Sequence, residues 1–383
     1  MRVVVLLIAG FVFLPACRKP AATNQTANSN AASPALEALF GGGAAVTGER
    51  FYFRGTIANN LKIGMTIVRD RDQLTGTYFY PRVGKNIDLK GTIDKDGNLD
   101  LRETDEAGKE TGMFKGKWKS ATDEPDVGLN EIEGKWSRPD GSRETNFQVT
   151  QQPIEFSATV RVLSKTIREA NKEKHYTIDA EYPQIEGDAR FDKFNREARN
   201  LVMKDVAAFK TAETQSEEEP GVELPEETQN STLNIDYDIR YATDDVISVE
   251  FGEGQYSRGA AHPISATAVL NYDVKNGRKL SLADLFNPNS KYLSVISAYC
   301  IKELKDRAKK DRDQMFADDT IQTGASPRAD NYKAVAITRK GLWVTFDPYQ
   351  VAPYAAGPQY VMLPYSALKE NIKSDGPIGG LVK

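Results

Sequence analysis

The chain has 383 residues, room for two or three domains at about 100 to 200 residues each. Its 50 basic and 54 acidic side chains leave a formal charge of −4. This mild acidity argues against a nucleic-acid binder, which would show a concentrated basic face, and leaves room for a cationic protein partner.

The chain opens with one basic residue, Arg2, then the apolar run Val3 to Phe13, then Leu14-Pro15-Ala16-Cys17. A spanning helix needs about 20 apolar residues, and this run is shorter and ends at Pro15. The segment resembles the lipobox of bacterial lipoproteins, in which a signal is cut before a cysteine that becomes acylated. Residues 1–16 are therefore expected to be a signal peptide and Cys17 the lipidation site, anchoring the protein to a membrane. Arg18 stands where an aspartate is associated with inner-membrane retention in Gram-negative lipoproteins. That resemblance implies an outer-membrane location facing the periplasm if the source is Gram-negative. Loss of Arg2 with the signal takes the charge from −4 to −5. With Cys17 acylated, Cys300 is the one remaining thiol, so no internal disulfide is expected, and its place on an apolar helix face predicts a buried, inert side chain.

Residues 17–48 are rich in Ala, Asn, Thr, Ser and Gly and end in Gly41-Gly42-Gly43, the composition of a flexible tether. From 49 to 151 the pattern becomes short alternating runs: Phe51 to Ile57, Leu61 to Val68, Leu74 to Tyr80, Ile87 to Ile93 and Leu99 to Glu103. A phrase recurs at Gly55-Thr56, Gly76-Thr77, Gly91-Thr92, Gly116-Lys117 and Gly134-Lys135. Glycines spaced in this way predict successive hairpins of an all-β meander, about eight strands that can close into a small barrel. The module is expected to be a spacer or docking unit, with a barrel holding a small apolar ligand as the alternative. Asp94-Lys95-Asp96-Gly97-Asn98 begins like a calcium loop, but an EF-hand needs helices on both sides and a twelfth-position carboxylate, so the segment is read as a hairpin turn, as is Pro139-Asp140-Gly141.

Alternation stops near Gln151 to Pro153, which predicts a domain boundary there. The region 154–373 reads as α+β: an antiparallel sheet with two main helices. Strands are expected at Phe156 to Ile167, His175 to Tyr182, Leu233 to Tyr241, Val246 to Phe251, Ile264 to Tyr272, Ala334 to Thr338, Leu342 to Phe346 and Tyr360 to Leu363. A helix is expected over Ala189 to Phe209, burying Phe191, Phe194, Ala198, Leu201, Val202, Val206 and Phe209. A second is expected over Lys291 to Lys309, with Tyr292, Val295, Ile296, Tyr299 and Leu304 inward. Glu217-Glu218-Glu219-Pro220 and Glu226-Glu227 form an acidic loop between the first helix and the next strand.

Enzyme motifs are scarce. The chain has no Gly-x-Ser-x-Gly elbow and no His-Glu-x-x-His helix, and its two histidines, His175 and His262, are far apart in sequence. Ser366-Ala367-Leu368-Lys369 matches the Ser-x-x-Lys of penicillin-interacting enzymes without their companion elements and is read as a helix turn. His262, before Pro263, is the residue with a chemical role to offer, and its structural reading is an imidazole that holds its loop.

Two segments carry a family resemblance. Tyr256-Ser257-Arg258-Gly259-Ala260-Ala261-His262-Pro263 and Tyr349-Gln350-Val351-Ala352-Pro353-Tyr354-Ala355-Ala356-Gly357, with Asn271-Tyr272-Asp273 and Pro364-Tyr365, resemble a bacterial envelope domain. That domain is similar to the extracellular half of a lysozyme-sensing anti-sigma factor and to the accessory region of some peptidoglycan deacetylases. The family usually has a second glycine where this chain has Ala260. The resemblance implies an extracytoplasmic binding protein that recognises a cationic, lysozyme-like wall-degrading protein or a peptidoglycan fragment. Its contact residues would be Tyr256, Arg258, Gly259, His262, Pro263, Tyr349, Pro353, Tyr354 and Gly357. No enzymatic activity, metal, cofactor or nucleic-acid partner is expected, the alternative being an envelope hydrolase or deacetylase-associated domain using His262.

Overall fold

The computed structural model describes residues 48–382 except 82, 84, 120–128, 158–159, 216–224, 226–227 and 311–316. The lipobox with Cys17, the tether but for Gly48, and the acidic loop of Glu217 to Pro220 and Glu226-Glu227 lie outside the described residues.

Eight strands form first: β1 (Glu49–Ile57), β2 (Leu61–Asp70), β3 (Gln73–Phe79), β4 (Asn86–Ile93), β5 (Asn98–Thr104), β6 (Glu110–Lys119), β7 (Glu131–Ser137) and β8 (Thr145–Gln152). Each pairs antiparallel with the next, and β8 returns to β1 through Tyr52↔Gln152 to Ile57↔Phe147, closing the barrel. Closure removes every free sheet edge. Alternate residues point inward, so β5 buries Leu99, Leu101 and Glu103 in turn. Eight strands leave an interior that side chains can fill. Phe114 stands edge-on to Tyr78 and Phe147 (5.3 and 4.9 Å), and Trp118 stands edge-on to Phe51 and Phe53 (5.0 and 5.3 Å). The Glu103 carboxylate, itself buried, accepts from Tyr78 Oη (2.5 Å), Thr111 Oγ1 (2.9 Å) and Trp136 Nε1 (3.0 Å). The barrel interior is thus occupied by its own side chains. The recurrent glycines reflect close strand approach: a Cβ on Gly91 would lie 1.8 Å from the Asp100 carbonyl oxygen on β5. At Asp94 to Asn98 the chain makes a hairpin turn, Asp94 Oδ1 accepting from the Asp96 and Asn98 amides (2.9 and 2.8 Å) with Gly97 at φ +84°.

The remainder is an α+β assembly of two sheets. β9 (Ile154–Glu155), β10 (Arg161–Asn171), β11 (Tyr176–Glu186), β12 (Ser231–Thr243), β13 (Val246–Tyr256), β14 (Ile264–Asp273) and β15 (Arg278–Leu280) make a seven-stranded sheet. The sheet is mainly antiparallel, as expected, with one departure: β12 runs parallel to β11 and to β9. The crossover from β11 to β12 runs through α1 (Asp192–Gln215), and a helical crossover lets two consecutive strands point the same way. The strand expected from Phe156 begins instead at Arg161, and the Phe156 ring packs against Tyr52 and Phe191 (6.4 and 4.8 Å). A second sheet comprises β16 (Val335–Ile337), β17 (Gly341–Phe346) and β18 (Gln359–Pro364), accompanied by α2 (Tyr292–Ala308), α3 (Asp318–Gly324) and α4 (Tyr365–Leu368).

Each sheet has its own core. α1 buries Phe194, Ala198, Val202, Val206 and Phe209 with Ile178, Leu233, Phe251 and Tyr272, while Leu201 is half-buried at the margin. α2 buries Ile296, Ser297, Cys300 and Leu304 against Val344, Val361 and Leu363. Its inward stripe follows 296, 300 and 304, so Tyr292, Val295 and Tyr299 are half-buried at its rim rather than in its centre. The cores are tied together where Asn271 Nδ2 donates to Val335 O (2.7 Å) and Ser248 Oγ accepts from Ile337 N (2.9 Å).

The barrel docks on the large sheet. Tyr52 joins the α1 core, and the Arg54 guanidinium lies 4.1 Å from the Tyr237 ring centre and donates to Tyr237 O at 2.7 Å. Glu181, 6% exposed at its side chain, receives Lys62 at 2.7 Å and Arg54 at 3.5 Å. Pro153, between β8 and β9, accepts from the Ala242 amide at 2.9 Å, so this junction is held within the fold.

Candidate functional site: two loops and an aromatic cluster

The loop between β13 and β14 holds the first resemblance segment. It is fixed at its base by Arg258 N donating to Ser231 Oγ (2.9 Å) and Gly259 N donating to Thr228 O (3.1 Å). Tyr256 Oη donates back to Ala260 O (3.0 Å), so this ring braces its own loop. Gly259 carries the positive φ of +75°, whereas Ala260 is not among the residues at positive φ. Alanine therefore fits at the position where the family usually has a second glycine.

The second loop joins β17 to β18. Val351 and Ala352 are buried and anchor it, and Gln350 Nε2 donates to Gly324 O (3.0 Å) and Asn331 O (2.9 Å). Pro353 precedes a single turn at Tyr354–Ala356, which ends where Gly357, at φ +66°, donates its N–H to Tyr354 O (2.9 Å). Tyr349 stands outside this anchored part, 62% exposed and at φ +70°. A bulky residue in the left-handed region is strained, and such strain gathers at functional sites.

The fold brings the two loops together. Tyr354 Oη donates to Pro263 O at 2.7 Å, and the Tyr354 ring stacks on the His262 imidazole with centroids 4.1 Å apart and planes at 29°. Tyr349 continues the row, 5.7 Å from Tyr354. His262 Nδ1 lies 2.9 Å from Pro263 O, and because a carbonyl only accepts, this nitrogen carries the hydrogen and Nε2 faces away from that contact. Of the expected contact residues, His262, Pro263, Tyr349 and Tyr354 meet in one cluster. Tyr256, Gly259, Pro353 and Gly357 shape the loops, and Arg258 contributes a backbone amide. His175 sits elsewhere, in the β10–β11 hairpin at φ +50°. Among the described residues no three His, Cys, Asp or Glu side chains gather as a metal site.

Beside the cluster lies an open depression of about 540 Å³, lined by Asp319, Thr323, Arg328, Asn331, Tyr349 and Gln350 among others. Sequence reasoning missed this feature except for Tyr349 and Gln350. Its floor depends on α3, a seven-residue helix with only Ile321 and Gly324 buried, too short for a periodic signal.

Comparison with known proteins places both loops in matched stretches. Residues 169–265 match the family model described as deacetylase PdaC, and residues 283–366 match the protein family of unknown function DUF3298. Over 203 residues the chain is 27% identical to the peptidoglycan-N-acetylmuramic acid deacetylase PdaC of Bacillus subtilis. That alignment takes in 53% of this chain and 40% of the relative, so the chain spans less than half of that protein. Solved DUF3298 structures from Bacteroides fragilis and Pseudomonas aeruginosa align at 17% identity with TM-scores of 0.41 and 0.42, covering 60% and 56% of this chain and 99% and 94% of theirs. The sequence matches support the resemblance to the accessory region of peptidoglycan deacetylases.

Proposed function

We propose that this protein is a lipid-anchored, extracytoplasmic binding protein of the cell envelope, held through Cys17, whose two-loop cluster docks peptidoglycan. The observation that carries this reading is the meeting of two loops, one in each matched stretch, at a row in which half-buried Tyr354 stands between exposed His262 and exposed Tyr349. Rigid aromatic rings present large contact area at small entropic cost, as binding surfaces require. The kinship with a peptidoglycan deacetylase supports the wall as the partner. In this reading the chain binds without catalysing: His262 is engaged by the Pro263 carbonyl and by the Tyr354 ring, the position of a residue that shapes a loop. If the source is Gram-negative, the lipobox resemblance with Arg18 after Cys17 supports an outer-membrane site facing the periplasm.

Sedimentation of the purified protein with insoluble peptidoglycan tests the reading. Wild-type protein is expected in the pellet and Tyr354→Ala largely in the supernatant. Wild-type protein that stays in solution, or that is retained by a cationic wall-degrading protein such as lysozyme and not by peptidoglycan, would overturn it. For the anchor, Cys17→Ala is expected to move from the detergent phase to the aqueous phase on partitioning. An unchanged distribution would remove lipidation from the account.

A further inference from the structure

The depression next to Tyr349 has a lining that specifies a ligand chemistry. The Gln350 amide nitrogen is committed to Gly324 O and Asn331 O (3.0 and 2.9 Å), and the Asn331 amide nitrogen to Thr323 O and Ser326 O (3.1 Å each). Because these partners are carbonyls, nitrogen must occupy those positions, which fixes the orientation of both amides. Each amide is thereby left with its carbonyl oxygen as the group available to a ligand. Among the described residues Asp319 enters no ion pair and adds a third acceptor, while Arg328, likewise without an ion pair, is the charged donor of the lining. The fixed Gln350 and Asn331 oxygens and the Asp319 carboxylate, beside the Arg328 guanidinium and the Thr320 and Thr323 hydroxyls, suit a ligand whose O–H and N–H groups donate and whose oxygens accept. Asp319 disfavours an anion. Tyr349 supplies an exposed ring at the edge, kept there despite a backbone conformation that costs about 1 kcal/mol or more for a non-glycine residue.

From this combination we infer that the depression is a saccharide subsite for a neutral, N-acetylated pyranose unit. The apolar face of the sugar lies on Tyr349, its hydroxyl and acetamido hydrogens are accepted by Gln350, Asn331 and Asp319, and Arg328 donates to a sugar oxygen. A few fixed polar groups around an aromatic platform are the ordinary make-up of a small-molecule site. The inference deepens the peptidoglycan reading and rests on it for the choice of an N-acetylated sugar.

Calorimetric titration of the purified protein with an N-acetylglucosamine tetramer, and with the glucose tetramer that lacks acetamido groups, tests it. Binding of the first is expected, at least about tenfold tighter than the second. Tyr349→Gly removes the ring and relieves the positive φ, so it is expected to weaken the N-acetylated tetramer about tenfold while leaving the melting temperature unchanged or higher. Equal affinity for the two tetramers, or binding indifferent to Tyr349→Gly and Arg328→Ala, would overturn the inference. If peptidoglycan still pelleted the protein but the N-acetylated tetramer gave no heat, the subsite would fail and the docking reading would stand. Tetramer binding abolished by Tyr349→Gly, without pelleting, would uphold the subsite and remove the docking reading.

Discussion

Tyr354 and Pro263, 91 residues apart in the chain, are joined by a 2.7 Å hydrogen bond from the phenol to the proline carbonyl. This bond and the stack on His262 make one surface of two loops that belong to different sheets. Tyr354→Phe is expected to keep the stack and lose the bond, costing about 0.5 kcal/mol because the bond is exposed to water. Tyr354→Ala loses both. In proton NMR spectra the His262 ring resonances are expected to stay close to wild type in the first variant and shift in the second, as the neighbouring ring current disappears. Unshifted resonances in Tyr354→Ala would mean that the loops do not meet in solution.

The contact of the barrel with the large sheet is expected to weaken in acid. Burial pushes the Glu181 carboxyl upward, but the hydrogen bond and charge of Lys62, the charge of Arg54 and the hydrogen bond from Ser164 outweigh it and hold the group below its ordinary value. Its folded pKa is thus lower than its unfolded one, about 4.3. The stabilisation it contributes is complete above that unfolded value and is lost as pH falls through the folded one. Glu181→Gln is expected to cost about 2 kcal/mol at pH 7, since charged hydrogen bonds are lost. Melting temperatures of wild type and variant should converge as pH falls below about 4.3, the unfolded value, and through the lower folded one. Parallel curves across that range would rule out the ion pair as the source.

Barrel closure depends on the strands approaching at the glycines. Gly91→Ala places a methyl 1.8 Å from a backbone oxygen, so the neighbouring strand must shift, and a loss of about 3 kcal/mol or more is expected in denaturant unfolding. Gly254, also on a strand, has open space for 4 Å around the position a Cβ would take, and its alanine variant should change stability by less than about 1 kcal/mol. Similar effects from the two variants would contradict the close approach at Gly91.

Cys300 is fully buried in the α2 core, and burial pushes its thiol up to about 12. The thiolate, the reactive form, is then scarce at pH 8. Iodoacetamide followed by peptide mass spectrometry should leave Cys300 unmodified in the native protein and label it in urea. Rapid native labelling would show that α2 opens readily.

Period-two alternation along Phe51 to Ile57 or Leu99 to Glu103, and the helical stripe from Phe194 to Phe209, are local consequences of which side chains must leave water, so these elements were legible in the sequence itself. The loop segments around His262 and Tyr354 were also recognisable, because their glycines, prolines and aromatics form distinctive runs. Contacts over long separations were not. The parallel β11–β12 pairing, the Glu181 ion pairs, the stack of His262 on Tyr354 and the depression completed by α3 each join residues whose local sequence is indifferent to the partner. Their positions follow from strand register and from the packing of two cores against each other, which only the folded chain decides.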